Sequence, residues 1–180
     1  MIHLATHGFL HPFSAMSSGV LLAAPERAGS GHSNDGFLQA WEIYSELKLK
    51  AELVVLSACD TGRGENVTSE GIVGLTRALQ YAGARSIVAS QWPVADNSAA
   101  ALMVAFHQKL RARLPKDEAL RQAMARVQRS PRTAHPFYWA PFFLIGDPNN
   151  SSVGRGRVPP GYLPGVGMAR GRRRALILDK

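Results

Sequence analysis

The sequence predicts an α/β fold: a mostly parallel β-sheet with helices on both faces. Short apolar runs of strand length alternate with segments of helical periodicity from residue 2 to about residue 148. Residues 53–56 are apolar without interruption, as expected for a strand covered on both faces. A chain of 180 residues can bury one core, and no apolar run approaches the roughly 20 residues that span a bilayer.

The first half of the chain contains four predicted elements. Residues 2–6 form a strand candidate that ends at His7, and residues 20–24 form a second one. Residues 26–36, rich in Gly, Ser and Asn, predict a loop. Residues 40–47 have the apolar spacing of a helix, and residues 53–56 follow as the buried strand. A glycine-containing loop is expected over residues 61–66.

The second half continues the alternation. Residues 72–79 predict a helix that Gly83 can end, and residues 86–90 predict a strand. Asp96 or Asn97 can cap the next helix, which Pro115 stops. Residues 120–127 form a further amphipathic helix, and residues 142–145 a last strand. Beyond residue 148 the composition shifts to Gly, Pro, Ser and Arg. We therefore expect one domain over residues 1–148 and a largely disordered basic tail over residues 149–180.

Charge and cysteine content exclude several classes of protein. Of the net charge of +8, residues 151–180 hold +6, from seven Lys or Arg and one acid. Residues 1–150 hold only +2, so a uniformly basic nucleic-acid-binding face is not expected on the body, although the tail could touch nucleic acid. Cys59, the single cysteine, excludes an intramolecular disulfide and a thiolate metal cluster. No histidine spacing suggests a metal site, no cofactor is expected, and the absence of a secretory signal predicts a cytoplasmic location.

Two residues lie where an α/β sheet places its reactive groups. His7 follows the first predicted strand and Cys59 follows the third, each before a glycine-containing loop. If these strands are neighbours, about 4.8 Å apart, an imidazole and a thiol come within reach of each other. The imidazole would then take the thiol proton, and the thiolate would attack a carbonyl carbon. The backbone N–H groups of Gly8 and Cys59 could receive the resulting oxyanion.

The segments around these residues resemble the CHAT domain, a caspase-like family known from bacteria and often joined to tetratricopeptide (TPR) repeats. The resemblance rests on the paired motifs at residues 3–8 and 56–62, and on segments at 35–43, 70–75, 90–96, 135–140 and 144–147. These segments occur in the family's order and span about residues 2–148.

The resemblance implies a caspase-haemoglobinase fold and a cysteine endopeptidase whose dyad is Cys59 and His7. It also implies relatedness to caspases and separases, which cleave after a chosen P1 residue. Family members usually carry further strands, and commonly TPR repeats, before the histidine strand. We therefore expect this chain to be an N-terminally truncated member whose repeats or regulatory partner lie elsewhere.

Four residues are candidates for binding a protein substrate: Asp60, Asp96, Trp92 and Asp35. The acidic ones suggest a basic P1 residue. Each also has a structural alternative, since Asp60 can hydrogen-bond its own loop and Asp96 can cap the next helix. Trp92, next to a proline, can anchor a loop, and Asp35 lies in the predicted long loop.

Two other functions compete with peptidase activity. A non-catalytic interaction module would keep the fold without turnover. A nucleotide-binding α/β domain would need a phosphate-cradling loop, and Gly62-Arg63-Gly64 lacks the Gly-Lys-Ser/Thr ending of such a loop.

Overall fold

The computed structural model describes residues 1–23, 35–57, 59–60 and 69–150, with residues 59, 60 and 69 described by their backbone alone. Most of the predicted loop 26–36, all of the predicted loop 61–66 and the tail beyond residue 150 lie outside these ranges. No helix within the described ranges is long and apolar enough to cross a membrane.

The described chain is an α/β structure with two four-stranded sheets. The strands are β1 (Ile2–Leu4), β2 (His7–Phe9), β3 (Gly19–Leu21), β4 (Phe37–Gln39), β5 (Val54–Leu56), β6 (Cys59–Asp60), β7 (Ser86–Ser90) and β8 (Phe142–Gly146). The helices are α1 (Ala40–Glu46), α2 (Ser69–Ala82), α3 (Asp96–Arg111) and α4 (Lys116–Gln128). Short 3₁₀ turns cover Ala15–Ser17 and Pro136–Tyr138.

The main sheet has the strand order β1-β5-β7-β8. β1, β5 and β7 are parallel, whereas β8 is antiparallel to β7. The alternation of strands and helices predicted a mostly parallel sheet, and this is confirmed. The direction of β8 follows from the two helices that precede it. The chain leaves β7, descends through α3 and ascends through α4, so β8 starts at the edge of the sheet where β7 ended.

Helices cover both faces of the main sheet, as predicted. Val54 and Leu56 point to the cluster that contains α1 and α2, and Val55 points to the cluster of α3 and α4. All three side chains of β5 are at most 2% exposed, which confirms a strand buried on both faces. Each such side chain contributes about 1.5–3 kcal/mol on burial.

The small second sheet has the order β4-β3-β2-β6 and mixes both directions. β2 is antiparallel to β3 and parallel to β6, and β3 is antiparallel to β4. The predicted strand over residues 2–6 is therefore wrong in one respect: it ends at Leu4, and His7 begins a separate strand. β4 was not predicted, because three residues joined to a helix leave no alternating pattern of their own.

Two helix boundaries show what local sequence could predict. Gly83 follows α2 with φ +114°, the conformation expected of a glycine that ends a helix. The predicted cap of α3 by Asp96 or Asn97 is wrong, because Ala95 occupies the cap position and makes no side-chain hydrogen bond. Asp96 is instead the first helical residue, where its negative charge interacts favourably with the positive end of the helix dipole.

Candidate functional site

His7 and Cys59 are register partners in the parallel pair β2 and β6, and Gly8 and Asp60 are the next pair. The ladder between β1 and β5 has the same offset: Ile2 pairs with Val54, and residue numbers differ by 52 in both pairs. The same parallel register thus continues from the main sheet, where the last pair is Leu4 and Leu56, into the second sheet, where the first pair is His7 and Cys59. The spacing of neighbouring strands, about 4.8 Å, separates the backbones of His7 and Cys59.

Two hydrogen bonds connect the chain segments between the two sheets to neighbouring strands. The N–H of Ser57 donates to the carbonyl of Leu4 over 3.0 Å and so connects the chains where the main sheet ends. The hydroxyl of Thr6 donates to the carbonyl of Leu21 on β3. Thr6, directly before His7, and Ser57, two positions before Cys59, are therefore each hydrogen-bonded to a neighbouring strand.

A narrow cleft lies beside this pair, at the carboxyl ends of β5 and β7. The residues that line it are Gly8, Leu10, Gly19, Leu56, Ile72, Leu75, Ser90, Gln91 and Trp92. Its volume is about 20 Å³, close to the space of one water molecule. The cleft brings together Gly8 and Trp92, two of the residues singled out from the sequence. Gly19 had no sequence signal, because its place in the lining depends on how the two sheets meet, and Gln91 was noted only as part of the segment 90–96.

Trp92 lines the cleft and also anchors its loop. Its ring lines the cleft, and its Nε1 donates a hydrogen bond of 3.1 Å to the carbonyl of Phe137. The preceding residue, Gln91, donates from its backbone to the carbonyl of Pro141 over 3.0 Å. The wall of the cleft is therefore anchored to the segment that leads into β8.

The structure does not place the acidic candidates together. Asp35 is exposed and accepts a hydrogen bond of 2.8 Å from the N–H of Phe37, so it shapes the turn into β4. β3 separates β4 from β2, which puts this turn about two strand spacings, or about 10 Å, from the line of His7. Asp96 is exposed in the first turn of α3 and does not line the cleft. Asp60 is in register with Gly8, and its side chain lies outside the described part.

A histidine pair that the sequence did not indicate joins β1 to α3. Nδ1 of His3 and Nε2 of His107 are 3.1 Å apart. Burial, and then the neighbouring His107, lower the pKa of His3, and burial lowers the pKa of His107. The two residues are 104 positions apart, so only the packing of α3 on the main sheet reveals their contact.

A second such feature is Lys116, which is 1% exposed at the start of α4. Its ammonium group donates to the hydroxyl of Ser86 over 3.0 Å, to the carbonyl of Asp147 over 3.1 Å and to the carbonyl of Asn149 over 2.6 Å. Burial lowers the pKa of Lys116, and the nearby Asp147 raises it. This cluster lies where β7 begins and β8 ends, at the edge of the sheet opposite the cleft.

The described residues contain no group of three or more His, Cys, Asp or Glu side chains that could hold a metal ion. What the site does contain is a histidine and a cysteine at one register position, beside a cleft at the carboxyl edge of a mostly parallel sheet. On a mostly parallel sheet covered by helices, this arrangement is consistent with the caspase-like class of α/β proteins.

Comparison with known proteins identifies the family within that class. The pattern of the CHAT domain matches residues 1–147, and the chain belongs to the CHAT-domain family. It is 39% identical over 145 residues to tetratricopeptide repeat protein 28 of Homo sapiens, covering 77% of this chain and 6% of the human protein. With the Mus musculus protein of that name it is 40% identical over 101 residues, covering 56% of this chain and 4% of the mouse protein. The chain thus spans a small part of these relatives, and both are mammalian although the sequence resemblance had suggested a bacterial family.

Proposed function

We propose that this CHAT domain is a cysteine endopeptidase in which Cys59 is the nucleophile and His7 its general base. The observation that supports this proposal is the register partnership of His7 with Cys59. The His7 side chain is exposed, so a substrate can approach it. Membership in a caspase-like family supports the same assignment.

In the proposed reaction, His7 takes the proton of the Cys59 thiol, and the thiolate attacks the carbonyl carbon of the scissile peptide bond. The backbone N–H groups of Gly8 and Cys59 stabilise the oxyanion. The imidazolium then gives its proton to the leaving amine, and a thioester remains. Water hydrolyses this thioester, which releases the carboxyl product and restores the thiol.

We propose a basic P1 residue. Asp60 supports this preference best, because it is in register with Gly8, one position beyond the dyad. Trp92, across the cleft from Gly8, would pack against the substrate chain. Asp96 and Asp35 lie outside the cleft lining, so we assign them to substrate residues further from the scissile bond.

The similarity to tetratricopeptide repeat proteins supports a link between this domain and repeats that recruit protein partners. We propose that such repeats, or a separate regulatory partner, bring the substrate to the cleft. A cytoplasmic setting would keep Cys59 reduced, as the proposed chemistry requires.

The test is covalent labelling of the purified chain with peptidyl acyloxymethyl ketones that carry Arg, Asp or Leu at P1. We expect the Arg probe to modify Cys59 fastest and Cys59→Ala to abolish labelling. His7→Gln should slow labelling to the rate of a free thiol, whereas the matched control His107→Gln, a histidine substitution on α3, should leave it unchanged.

Labelling of Cys59 at the rate of a free thiol in the wild type would contradict the enzyme assignment. If Cys59→Ala and the wild type then captured the same protein unprocessed, the chain would be a non-catalytic interaction module. Equal rates with the three probes would retain the peptidase and reject the basic P1 preference.

A further inference from the structure

The outer surface of α3 and α4 forms a groove whose walls are basic. The two helices run antiparallel, since Arg126 contacts Gln108 over 3.4 Å while Asn97 and Thr133 line the same cavity. Two cavities of about 400 Å³ and about 310 Å³ lie along this α3–α4 groove and share Arg126. Alanines form the floor, and cations line the walls: Lys109, Arg121, Arg126, Arg129 and Arg132.

Among the described residues, only Glu118 offsets part of the positive charge that lines this surface. No Asp or Glu lines either cavity. Glu118 lies nearby and pairs with Arg121 through two hydrogen bonds of 2.7 and 2.6 Å, which contribute to lowering its pKa to about 2. Within the described ranges, Lys109, Arg129 and Arg132 form no ion pair. These cations therefore remain available to an external anion.

The net charge of residues 1–150 does not indicate this basic surface, because acidic residues elsewhere in the body offset it. Residues 109–132 hold eight Lys or Arg and two acids, a net charge of +6. The remainder of residues 1–150 holds six Lys or Arg and ten acids, a net charge of −4. The body is thus near neutral only in sum, and its positive charge is concentrated along α3 and α4.

We propose that the α3–α4 groove binds an acidic segment of a protein partner. The alanine floor, with Ala105 and Ala125 at its centre, lets an extended main chain lie close to the helices. From Asn97 to Lys109 the groove runs about 18 Å along α3, the length of about five or six extended residues.

A polypeptide fits this groove better than a nucleic acid. No aromatic side chain lines either cavity, so there is no platform on which bases could stack. Asn97, Ser130 and Thr133 at one end add neutral hydrogen-bonding groups suited to a peptide backbone. The proposal does not depend on catalysis by His7 and Cys59, because it concerns a different surface.

The test measures binding of a fluorescein-labelled, glutamate-rich peptide of about eight residues to the full chain by anisotropy, at low salt. The groove variant is Arg126→Glu/Arg129→Glu. The matched control is Lys50→Glu/Arg77→Glu, which makes the same change in net charge at exposed residues outside α3 and α4. We expect the groove variant to weaken binding at least about tenfold and the control less than about threefold.

Equal loss in the two variants, or no loss in either, would overturn the proposal by assigning the binding to general charge or to the basic residues beyond residue 150. An oligonucleotide of about eight nucleotides that bound more tightly than the peptide and lost affinity in the groove variant would also overturn it. Circular dichroism checks folding, and Arg126→Gln/Arg129→Gln serves as a milder variant should charge reversal unfold α4.

Discussion

His7 and Cys59 occupy one register position of a parallel ladder, although 52 residues separate them in the chain. The same register pairs Leu4 with Leu56 at the end of the main sheet. The register that pairs the two candidate residues is therefore the one in which β1 pairs with the buried strand β5.

Removing either member of the pair should abolish peptide cleavage. We expect Cys59→Ala and His7→Gln each to lower kcat/KM by about 10³-fold or more, and the double variant to lose no more than the single ones. The reason is that nucleophile and base act as one unit. Hydrolysis of a fluorogenic peptide with Arg at P1 measures this. Additive losses would show that the two residues act separately.

Gly19→Ala should destabilise the small sheet. A Cβ at this position would lie 2.4 Å from the carbonyl oxygen of Leu38 on β4. The neighbouring backbone must move to relieve this contact, at a cost of about 1–3 kcal/mol. Urea denaturation measures the loss. Ser90→Ala, a small change at another residue of the cleft, is the control and should shift the midpoint little; an unchanged midpoint in Gly19→Ala would contradict the prediction.

Lys116→Met should lower the free energy of unfolding by about 2–3 kcal/mol. The methionine fills a similar volume, but the Asn149 carbonyl loses its donor and the Asp147 carbonyl keeps only the Ser86 hydroxyl of its two donors. Thermal unfolding monitored by circular dichroism measures the change. Lys109→Met removes a lysine from the surface of α3 and should have almost no effect on stability. A stable Lys116→Met protein would show that these carbonyls find other partners.

The pair of His3 and His107 should make stability depend on pH. Both pKa values are lowered in the folded chain, so the unfolded chain binds more protons as the pH falls through about 6.5. The free energy of unfolding should therefore decrease from about pH 7 towards about pH 5. His107→Gln should flatten this dependence, whereas His135→Gln, on the loop before β8, should not. Equal slopes in wild type and His107→Gln would refute the assignment.

Much of the fold could be predicted because its elements have strong local signals. The uninterrupted apolar run of β5 predicted a strand buried on both faces, and Gly83 predicted the end of α2. The order of strands and helices predicted the class of fold. The direction of β8 was not predicted, although the two helices between β7 and β8 already imply it, since each helix reverses the chain once.

The residues of the candidate site also fall into two groups, those that local sequence indicated and those whose position only the structure gave. Motifs and strand ends made His7, Gly8, Cys59 and Trp92 candidates, and the structure places Gly8 and Trp92 in one cleft beside the register pair of His7 and Cys59. The roles of Asp35 and Asp96 depended on distances that no local pattern contains, and the structure places both outside the cleft lining. The basic character of residues 109–132 is visible in the sequence, but an average over the whole body concealed it.

The sequence by itself predicted the class of fold, because periodicity and turn chemistry act over a few neighbouring positions, and its resemblance to the CHAT family indicated the two candidate catalytic residues. Only the tertiary structure decided that His7 lies in register with Cys59, that His3 meets His107, and that the cations of α3 and α4 form one groove. Each of these relations joins residues far apart in the chain. Strand register and helix packing create them, and both are decided by burial of the whole core.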